Sequence, residues 1–147
     1  MATKEYEVEL RRTAALLTTV ATVRGFGLEL GAKSGDPTVG FNPAETLLAA
    51  VGACITSSLG LVASNSDVEI GALEVVVSGI RQDAPPRMIS IHYALTIETK
   101  ADDQKVERIL RLAERNSTVV STLQGALNIT GEWRRLKAVV VDRSKTK

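Results

Sequence analysis

The chain contains one cysteine, Cys54, and this is the residue best suited to nucleophilic chemistry. A cysteine reacts as its thiolate, so reactivity requires surroundings that lower the thiol pKa. We predict that Cys54 lies near the middle of a helix, where the helix dipole contributes little. Activation would then have to come from a neighbouring cation. The alternative is that Cys54 is a small apolar residue of the core.

Other residues with chemical potential give weaker signals. His92 is the only histidine, and a lone histidine without a second ligand or a cysteine partner is typical of a surface or interface position. Arg24 precedes Gly25-Phe26-Gly27, which lacks the further glycines and the following helix of a phosphate loop. The pair Asp102-Asp103 is better explained as the start of a helix than as two carboxylates for acid–base catalysis. With a single cysteine, the chain can form neither an intramolecular disulfide nor a cysteine zinc cluster, and we expect no metal and no cofactor.

The first elements that must position these residues are strands. Residues 6–10 alternate between polar and apolar, and residues 16–23 are rich in threonine and valine, so both stretches favour strands. A third strand is predicted over 27–32, after a turn bracketed by Gly25 and Gly27. Residues 34–37 have the composition of a loop.

A long helix is predicted next, over residues 43–63. Asn42 can cap it, Pro43 suits its first position, and Glu45 can reach back as the acid of a capping box. Apolar residues recur every three or four positions: Leu47, Leu48, Val51, Cys54, Ile55, Leu59 and Val62. Gly52 in mid-helix costs about 1 kcal/mol relative to alanine. We therefore expect another helix or strand to approach Gly52 closely, and the helix to be central.

The remaining pattern completes an α+β chain. Strands are predicted over 73–80 and 87–98, joined by a turn at Ala84-Pro85-Pro86, and helices over 102–115 and 118–123. Strands over 126–130 and 136–141 close the chain. The order β-β-β-α-β-β-α-α-β-β segregates strands from helices, which indicates an α+β fold in a single domain over 1–147.

Composition excludes several classes of function. The 18 basic and 17 acidic residues give a net charge of +1, which argues against nucleic acid or an anionic membrane as a partner. No run of about 18 unbroken apolar residues occurs, so we expect no membrane span. The first residues lack the apolar core of a secretory signal. A single cysteine is typical of a reduced compartment, which predicts a cytoplasmic protein.

Two segments resemble the OsmC/Ohr family of osmotically inducible and organic-hydroperoxide-resistance proteins. Residues 42–54 (NPAETLLAAVGAC) resemble the family's signature helix, in which a proline, an acid and a leucine-rich turn lead through small residues into a cysteine. Residues 113–123 (AERNSTVVSTL) lie where the family has A-E-x-x-C-P-V-S-x-T-L. The resemblance implies an OsmC-like fold with a long central helix packed on an antiparallel sheet. It also implies an intertwined homodimer.

The resemblance implies thiol peroxidase chemistry at Cys54. In the family, a thiolate attacks a hydroperoxide and becomes a sulfenic acid, a second cysteine condenses with it, and a dithiol resets the pair. An arginine holds the thiolate and a glutamate orients the arginine. By position these are Arg24 and Glu45, although the best-known reductases have the acid where this chain has Ala44. Fallback candidates for the arginine are Arg81 and Arg87.

The chain departs from the family at the second cysteine. Ser117 stands at that position and Thr118 replaces the usual proline. A serine cannot form a disulfide, so we predict a thiol-dependent peroxidase that acts on organic hydroperoxides with an external thiol as resolving partner. Ser117 would donate a hydrogen bond to the thiolate or to the peroxide. The alternative is a non-catalytic homodimer that binds a small hydrophobic ligand or senses oxidation.

Overall fold

A computed structural model describes residues 1–12, 18–31 and 40–137. Contacts divide the chain into two compact units, Met1–Ala49 and Ala50–Lys147, with the boundary inside the long helix. The N-terminal unit carries one three-stranded sheet and the C-terminal unit carries another. The α+β class predicted from the sequence is confirmed. The prediction of a single domain over 1–147 remains a prediction.

The N-terminal unit is an antiparallel meander of β1 (Glu9–Arg12), β2 (Thr18–Val23) and β3 (Phe26–Gly31). Arg24 and Gly25 form the two-residue turn between β2 and β3, and both have positive φ angles, of 48° and 84°. A two-residue turn of this kind matches the twist of the strands that it joins. Gly27 pairs with Thr22 inside the ladder, so the turn is tighter than the predicted one bracketed by Gly25 and Gly27.

The first strand differs from the prediction over 6–10. The ladder to β2 begins only at Glu9, and the alternating apolar side chains of Tyr6, Val8 and Leu10 are exposed. The alternation of polar and apolar residues therefore locates the strand approximately, but it does not show that the apolar side chains are buried. The predicted loop at 34–37 and the first two residues of the strand predicted over 16–23 lie outside the described residues.

Helix α1 spans Pro43–Asn65 and begins as predicted. The Asn42 side chain accepts the Glu45 N–H at 2.9 Å, and the Glu45 carboxylate accepts the Asn42 N–H at 3.0 Å, which completes a capping box. A left-handed residue, Asp67, follows the helix, and the Val68 N–H returns to the Ala63 carbonyl at 2.9 Å. Both ends are therefore fixed by local hydrogen bonds.

The close approach predicted at Gly52 is confirmed, and the neighbour is a strand. A Cβ at Gly52 would lie 3.0 Å from Val77 Cγ2 and 3.4 Å from Val75 Cγ1, both on β4 (Leu73–Gln82). The same part of α1 buries Val51, Ile55 and Leu59 completely. The opposite face is open in the described chain, where Leu61 is 63% exposed. The prediction of a central helix therefore holds for one face.

By length and composition, α1 is also apolar enough to cross a membrane, with a mean hydropathy of 1.9 over its best 18-residue window. This differs from the expectation of no such segment, which rests on the small polar residues that interrupt every apolar run. A core helix of a soluble protein passes the same test, and 33% of that window is buried in the described chain. The packing of Gly52 against β4 is typical of such a core helix.

The C-terminal unit has a mixed sheet in the order β4-β5-β6. Strand β5 (Arg87–Ile97) is antiparallel to β4, and β6 (Asn128–Arg135) is parallel to β5. The expectation of an antiparallel sheet holds for the β4–β5 pair, whereas the β5–β6 pair is parallel. Two helices, α2 (Asp103–Asn116) and α3 (Thr118–Leu123), lie between β5 and β6 in the chain. They return the chain to the end of the sheet at which β5 begins, as a parallel strand pair requires.

At the C-terminus, β6 overlaps the strand predicted over 126–130 and continues past its predicted end. β6 runs unbroken from Asn128 to Arg135, through the stretch between the strands predicted over 126–130 and 136–141. Leu136 and Lys137 follow the strand, and residues 138–141 lie outside the described residues. Gly131 is paired with Tyr93 inside the ladder.

Candidate active site around Cys54

Cys54 lies on α1 and its side chain is partly buried. It faces the junction between α2 and α3, where Ser117 separates the two helices. Four hydrogen-bonding groups interact with the thiol: the hydroxyls of Ser117 and Ser58 and the backbone N–H groups of Thr118 and Val119. All of them belong to the C-terminal unit. The structure thus brings Cys54 and Ser117 together, as their positions in the family pattern suggest.

The α2–α3 junction is held rigidly in place. Val106, Ile109 and Ala113 anchor α2 in the core, each at most 2% exposed. Ser117 is fully buried: its N–H donates to the Glu114 carbonyl at 3.2 Å, and its Oγ accepts the Val120 N–H at 3.4 Å. One serine therefore ends α2, caps α3 and contacts the thiol, so its hydroxyl has little freedom to turn away.

The pKa of the Cys54 thiol is lowered in these surroundings. Burial by itself raises this pKa, but the Ser117 hydroxyl, the Val119 and Thr118 N–H groups and the Ser58 hydroxyl together outweigh burial. Each of these donors stabilises the thiolate more than the thiol. The sequence predicts activation by a cation, whereas in the C-terminal unit hydrogen-bond donors lower the pKa.

Replacing Ser117 with alanine is expected to raise the Cys54 pKa, because the first of these donors is lost. The thiolate fraction at neutral pH then falls, and alkylation and the first oxidation step slow by about three- to tenfold, since one pKa unit is worth a factor of ten. The pH dependence of iodoacetamide labelling measures this directly. The difference in labelling rate between the wild type and Ser117→Ala should become smaller at a pH above the Cys54 pKa values of both proteins.

The matched control for Ser117→Ala is Ser64→Ala, which removes an exposed hydroxyl from α1 ten residues after Cys54. It should leave the labelling profile unchanged. Ser117→Ala also removes the cap of α3 and is expected to cost about 1 kcal/mol of stability. An unchanged labelling midpoint in a folded Ser117→Ala protein would show that the hydroxyl does not stabilise the thiolate.

The other two predicted site residues, Arg24 and Glu45, belong to the N-terminal unit. Arg24 is exposed in the β2–β3 turn and lines an open cavity of about 650 Å³ together with Glu5, Glu7 and Glu9. Glu45 uses its carboxylate in the capping box of α1. The roles of Arg24 as thiolate partner and of Glu45 as its orienting acid remain predictions.

Of the fallback arginines, Arg81 is paired with Asp83 at the β4–β5 turn. Arg87 is exposed at the first position of β5. Neither is among the groups that lower the pKa of Cys54.

His92 is a surface histidine, as predicted. Its side chain is 43% exposed, Nδ1 lies 2.8 Å from Thr130 Oγ1, and Nε2 lies 3.6 Å from Glu132 Oε1. Among the described residues, no group of three or more histidine, cysteine, aspartate or glutamate side chains is placed to hold a metal ion.

Sequence reasoning misses Ser58 and the two backbone donors. The signal for Ser58 is its spacing, because a residue four positions after Cys54 on a helix shares its face. The N–H groups of Thr118 and Val119 carry no side-chain signal. They can reach the sulfur because the first N–H groups of a helix have no partner within it.

Comparison with known proteins agrees with this architecture. A family model described as OsmC-like protein matches residues 33–132. No curated protein matches the chain in sequence. The crystal structure of an OsmC-like protein from Mycoplasma pneumoniae is 21% identical, with a TM-score of 0.84 over 91% of this chain and 99% of that one.

Two similar structures carry a functional name. The organic hydroperoxide resistance protein OhrB of Bacillus subtilis is 20% identical, with a TM-score of 0.64 over 87% of this chain and 96% of that one. An organic hydroperoxide resistance protein OsmC from Legionella pneumophila is 14% identical, with a TM-score of 0.68 over 89% and 98%. At these identities the likeness shows the fold alone. The family model, in contrast, matches more than half of the sequence, and the chain therefore belongs to the OsmC-like protein family.

Proposed function

We propose that this protein is a one-cysteine thiol peroxidase of the stress-response type, which reduces organic hydroperoxides through Cys54 with an external thiol as resolving partner. The feature that carries the proposal is the surroundings of Cys54, a partly buried thiol on the signature helix of the family that faces the Ser117 and Ser58 hydroxyls and the first N–H groups of α3. These donors favour the thiolate, which is the form that attacks a peroxide. Two structurally similar proteins are named for organic hydroperoxide resistance, which supports the same class of substrate.

The proposed cycle balances without a second cysteine. The Cys54 thiolate attacks the outer peroxide oxygen, the O–O bond breaks, and the alkoxide takes a proton and leaves as an alcohol. The resulting sulfenic acid condenses with an external thiol, which releases water and leaves a mixed disulfide. A second thiol attacks the mixed disulfide, regenerates the Cys54 thiolate and leaves as an external disulfide. Two thiols are oxidised for each hydroperoxide reduced.

Ser117 is proposed to assist the first step, because its hydroxyl stabilises the attacking thiolate. We also propose that Arg24 supplies a cation that favours the thiolate, with Glu45 orienting its guanidinium. These two roles rest on the family resemblance and are testable by Arg24→Ala and Glu45→Ala beside the labelling assay of Ser117→Ala.

A homodimer is proposed as the working assembly. The exposed face of α1 consists mainly of small residues around one large apolar side chain, with Ala53, Ser57, Gly60 and Leu61 open in the described chain. A face without bulky side chains lets a second helix approach closely, and an exposed leucine gains from being covered. A single unpaired cysteine is typical of the cytoplasm, which is the proposed location.

The decisive experiment measures cumene hydroperoxide consumption with an excess of dithiol, with Cys54→Ser as the matched control. We expect many turnovers per chain in the wild type and none in the variant. Equal inactivity of both proteins with several thiol reductants would contradict the peroxidase.

The second candidate function is a sensor or ligand-binding dimer, and the absence of a second cysteine from the sequence favours it. In that case one equivalent of hydroperoxide would be consumed and the sulfenic acid would persist. A bound small hydrophobic molecule would be visible by native mass spectrometry of the freshly purified protein.

A further inference from the structure

Tyr93 makes a buried polar contact that packing alone does not require. It lies on the inner face of β5 among aliphatic neighbours and is only 2% exposed. Its hydroxyl donates a hydrogen bond to the Glu114 carboxylate in the last turn of α2. A buried hydroxyl is unfavourable without a partner, and a phenylalanine would fill the same space. The hydroxyl therefore serves the contact with Glu114.

The adjacent strand is shaped to allow this contact. Gly131 on β6 stands opposite Tyr93 in the ladder. A Cβ at this position would overlap the Tyr93 ring and its hydroxyl oxygen. The tyrosine thus extends across a gap in β6 that only glycine leaves open. The reach of Tyr93 towards α2 depends on both strands.

The same turn of α2 leads directly to the thiol. The carbonyl of Glu114 accepts the N–H of Ser117 at 3.2 Å, and the Ser117 hydroxyl contacts Cys54. One end of this four-residue stretch is attached to the sheet through its side chain. The other end places a donor against the sulfur. Movement at Glu114 would therefore be passed to Ser117 through a single turn of backbone.

We propose that the Tyr93–Glu114 hydrogen bond is a tether that positions Ser117 against Cys54, so that Tyr93 and Glu114 are positioning residues for the thiolate. The proposal deepens the proposed peroxidase function and rests on it for its biological meaning. The effect of the tether on the ionisation of Cys54 can nevertheless be measured without any peroxidase turnover.

The protonation state of Tyr93 suits this role. Burial, together with the hydrogen bond to the Glu114 carboxylate and its charge, raises the pKa of Tyr93. The hydroxyl therefore keeps its proton, and remains a donor, over the range in which the Cys54 thiol titrates. The tether does not weaken as the thiolate forms.

The test measures the pH midpoint of Cys54 alkylation in the full chain for Tyr93→Phe, Glu114→Ala and Glu114→Gln. Tyr93→Phe and Glu114→Ala break the tether, and we expect the midpoint to rise and labelling at neutral pH to slow by about two- to fivefold, at ten per pKa unit. Glu114→Gln keeps an acceptor for the Tyr93 hydroxyl and should restore most of the wild-type profile. Glu107→Ala removes an exposed carboxylate from the same helix and should change nothing.

The outcomes separate this proposal from the peroxidase. If the tether variants lose stability but keep the wild-type midpoint, the contact is structural and the proposal is wrong. If Tyr93→Phe does not fold, Glu114→Ala decides the matter, because Glu114 is half-buried and tolerates truncation more readily. A wild type without peroxidase turnover would contradict the proposed function and leave the midpoint shift as a separate result.

Discussion

Replacing Ser117 with cysteine is expected to let one chain form an intramolecular disulfide with Cys54 after one equivalent of hydroperoxide. The Ser117 hydroxyl already contacts the Cys54 thiol, so a thiol at this position stands beside the sulfenic acid when it forms. It attacks the Cys54 sulfur, the hydroxide leaves as water, and the chain loses two hydrogens relative to the dithiol. The variant would resolve the sulfenic acid within one chain, a step that the wild type leaves to an external thiol.

The expected gain in rate is large, because resolution no longer waits for an external thiol. Well-oriented intramolecular reactions reach effective concentrations of about 10⁵ M or more. The sulfenic acid should therefore disappear faster than it can react with a second hydroperoxide. We expect wild-type protein under excess hydroperoxide to reach the sulfinic acid, and Ser117→Cys to be protected from it.

Intact-mass analysis and thiol counting after one equivalent of hydroperoxide measure the outcome. The matched control is Ser121→Cys, which adds an exposed thiol four residues later in α3. That variant should retain its added thiol and show no intramolecular disulfide. Two free thiols in oxidant-treated Ser117→Cys would contradict either the contact or the formation of the sulfenic acid. A dimedone adduct on Cys54 tells the two apart.

The helices can be predicted from the sequence because their ends are fixed by local residues. The capping box of Asn42 and Glu45 marks the start of α1, and Ser117 marks both the end of α2 and the start of α3. The α3 range of Thr118–Leu123 agrees with the prediction over 118–123. Each of these signals acts over three or four positions, which is the range that a sequence pattern reports well.

The strands are predicted less well because their limits depend on distant partners. β6 continues through Gly131 because the strand stays paired with β5, which is far away in the chain, from Asn128 to Arg135. β1 begins at Glu9 because its ladder to β2 begins there, although the alternation starts earlier. A strand ends where its neighbour ends, and no local pattern contains that information.

The candidate site can be predicted in part. The family pattern places Ser117 with Cys54, and the structure brings them into contact. The local pattern suggests a cation as the activating group, whereas serine hydroxyls and backbone N–H groups lower the pKa in the C-terminal unit. Free backbone N–H groups are present at the start of any helix. Only the packing of one helix against another determines whether these N–H groups point towards a sulfur.

Gly131→Ala is expected to destabilise the protein strongly for a change that adds one methyl group. The new Cβ would overlap the Tyr93 ring, which is buried and bonded to Glu114 and therefore cannot swing into solvent. Overpacking of this kind costs about 1–3 kcal/mol. Urea unfolding measures it, with Gly125→Ala as the control, because no atom lies within 4 Å of a Cβ at that exposed position.

A double-mutant cycle shows whether the cost arises at Tyr93. In a Tyr93→Leu background the ring is gone, so Gly131→Ala should hardly change the free energy of unfolding. The effects of the two substitutions on that free energy should therefore be strongly non-additive. Gly131→Ala alone should also raise the labelling midpoint of Cys54, because displacing Tyr93 breaks the tether to Glu114. A stability loss that persists in the Tyr93→Leu background would mean that the strand itself needs the glycine. If the loss disappears in that background, Gly131 controls the ionisation of Cys54 indirectly. It leaves room for the Tyr93 ring, and the hydrogen bond from Tyr93 to Glu114 holds the turn of α2 that leads to the thiol.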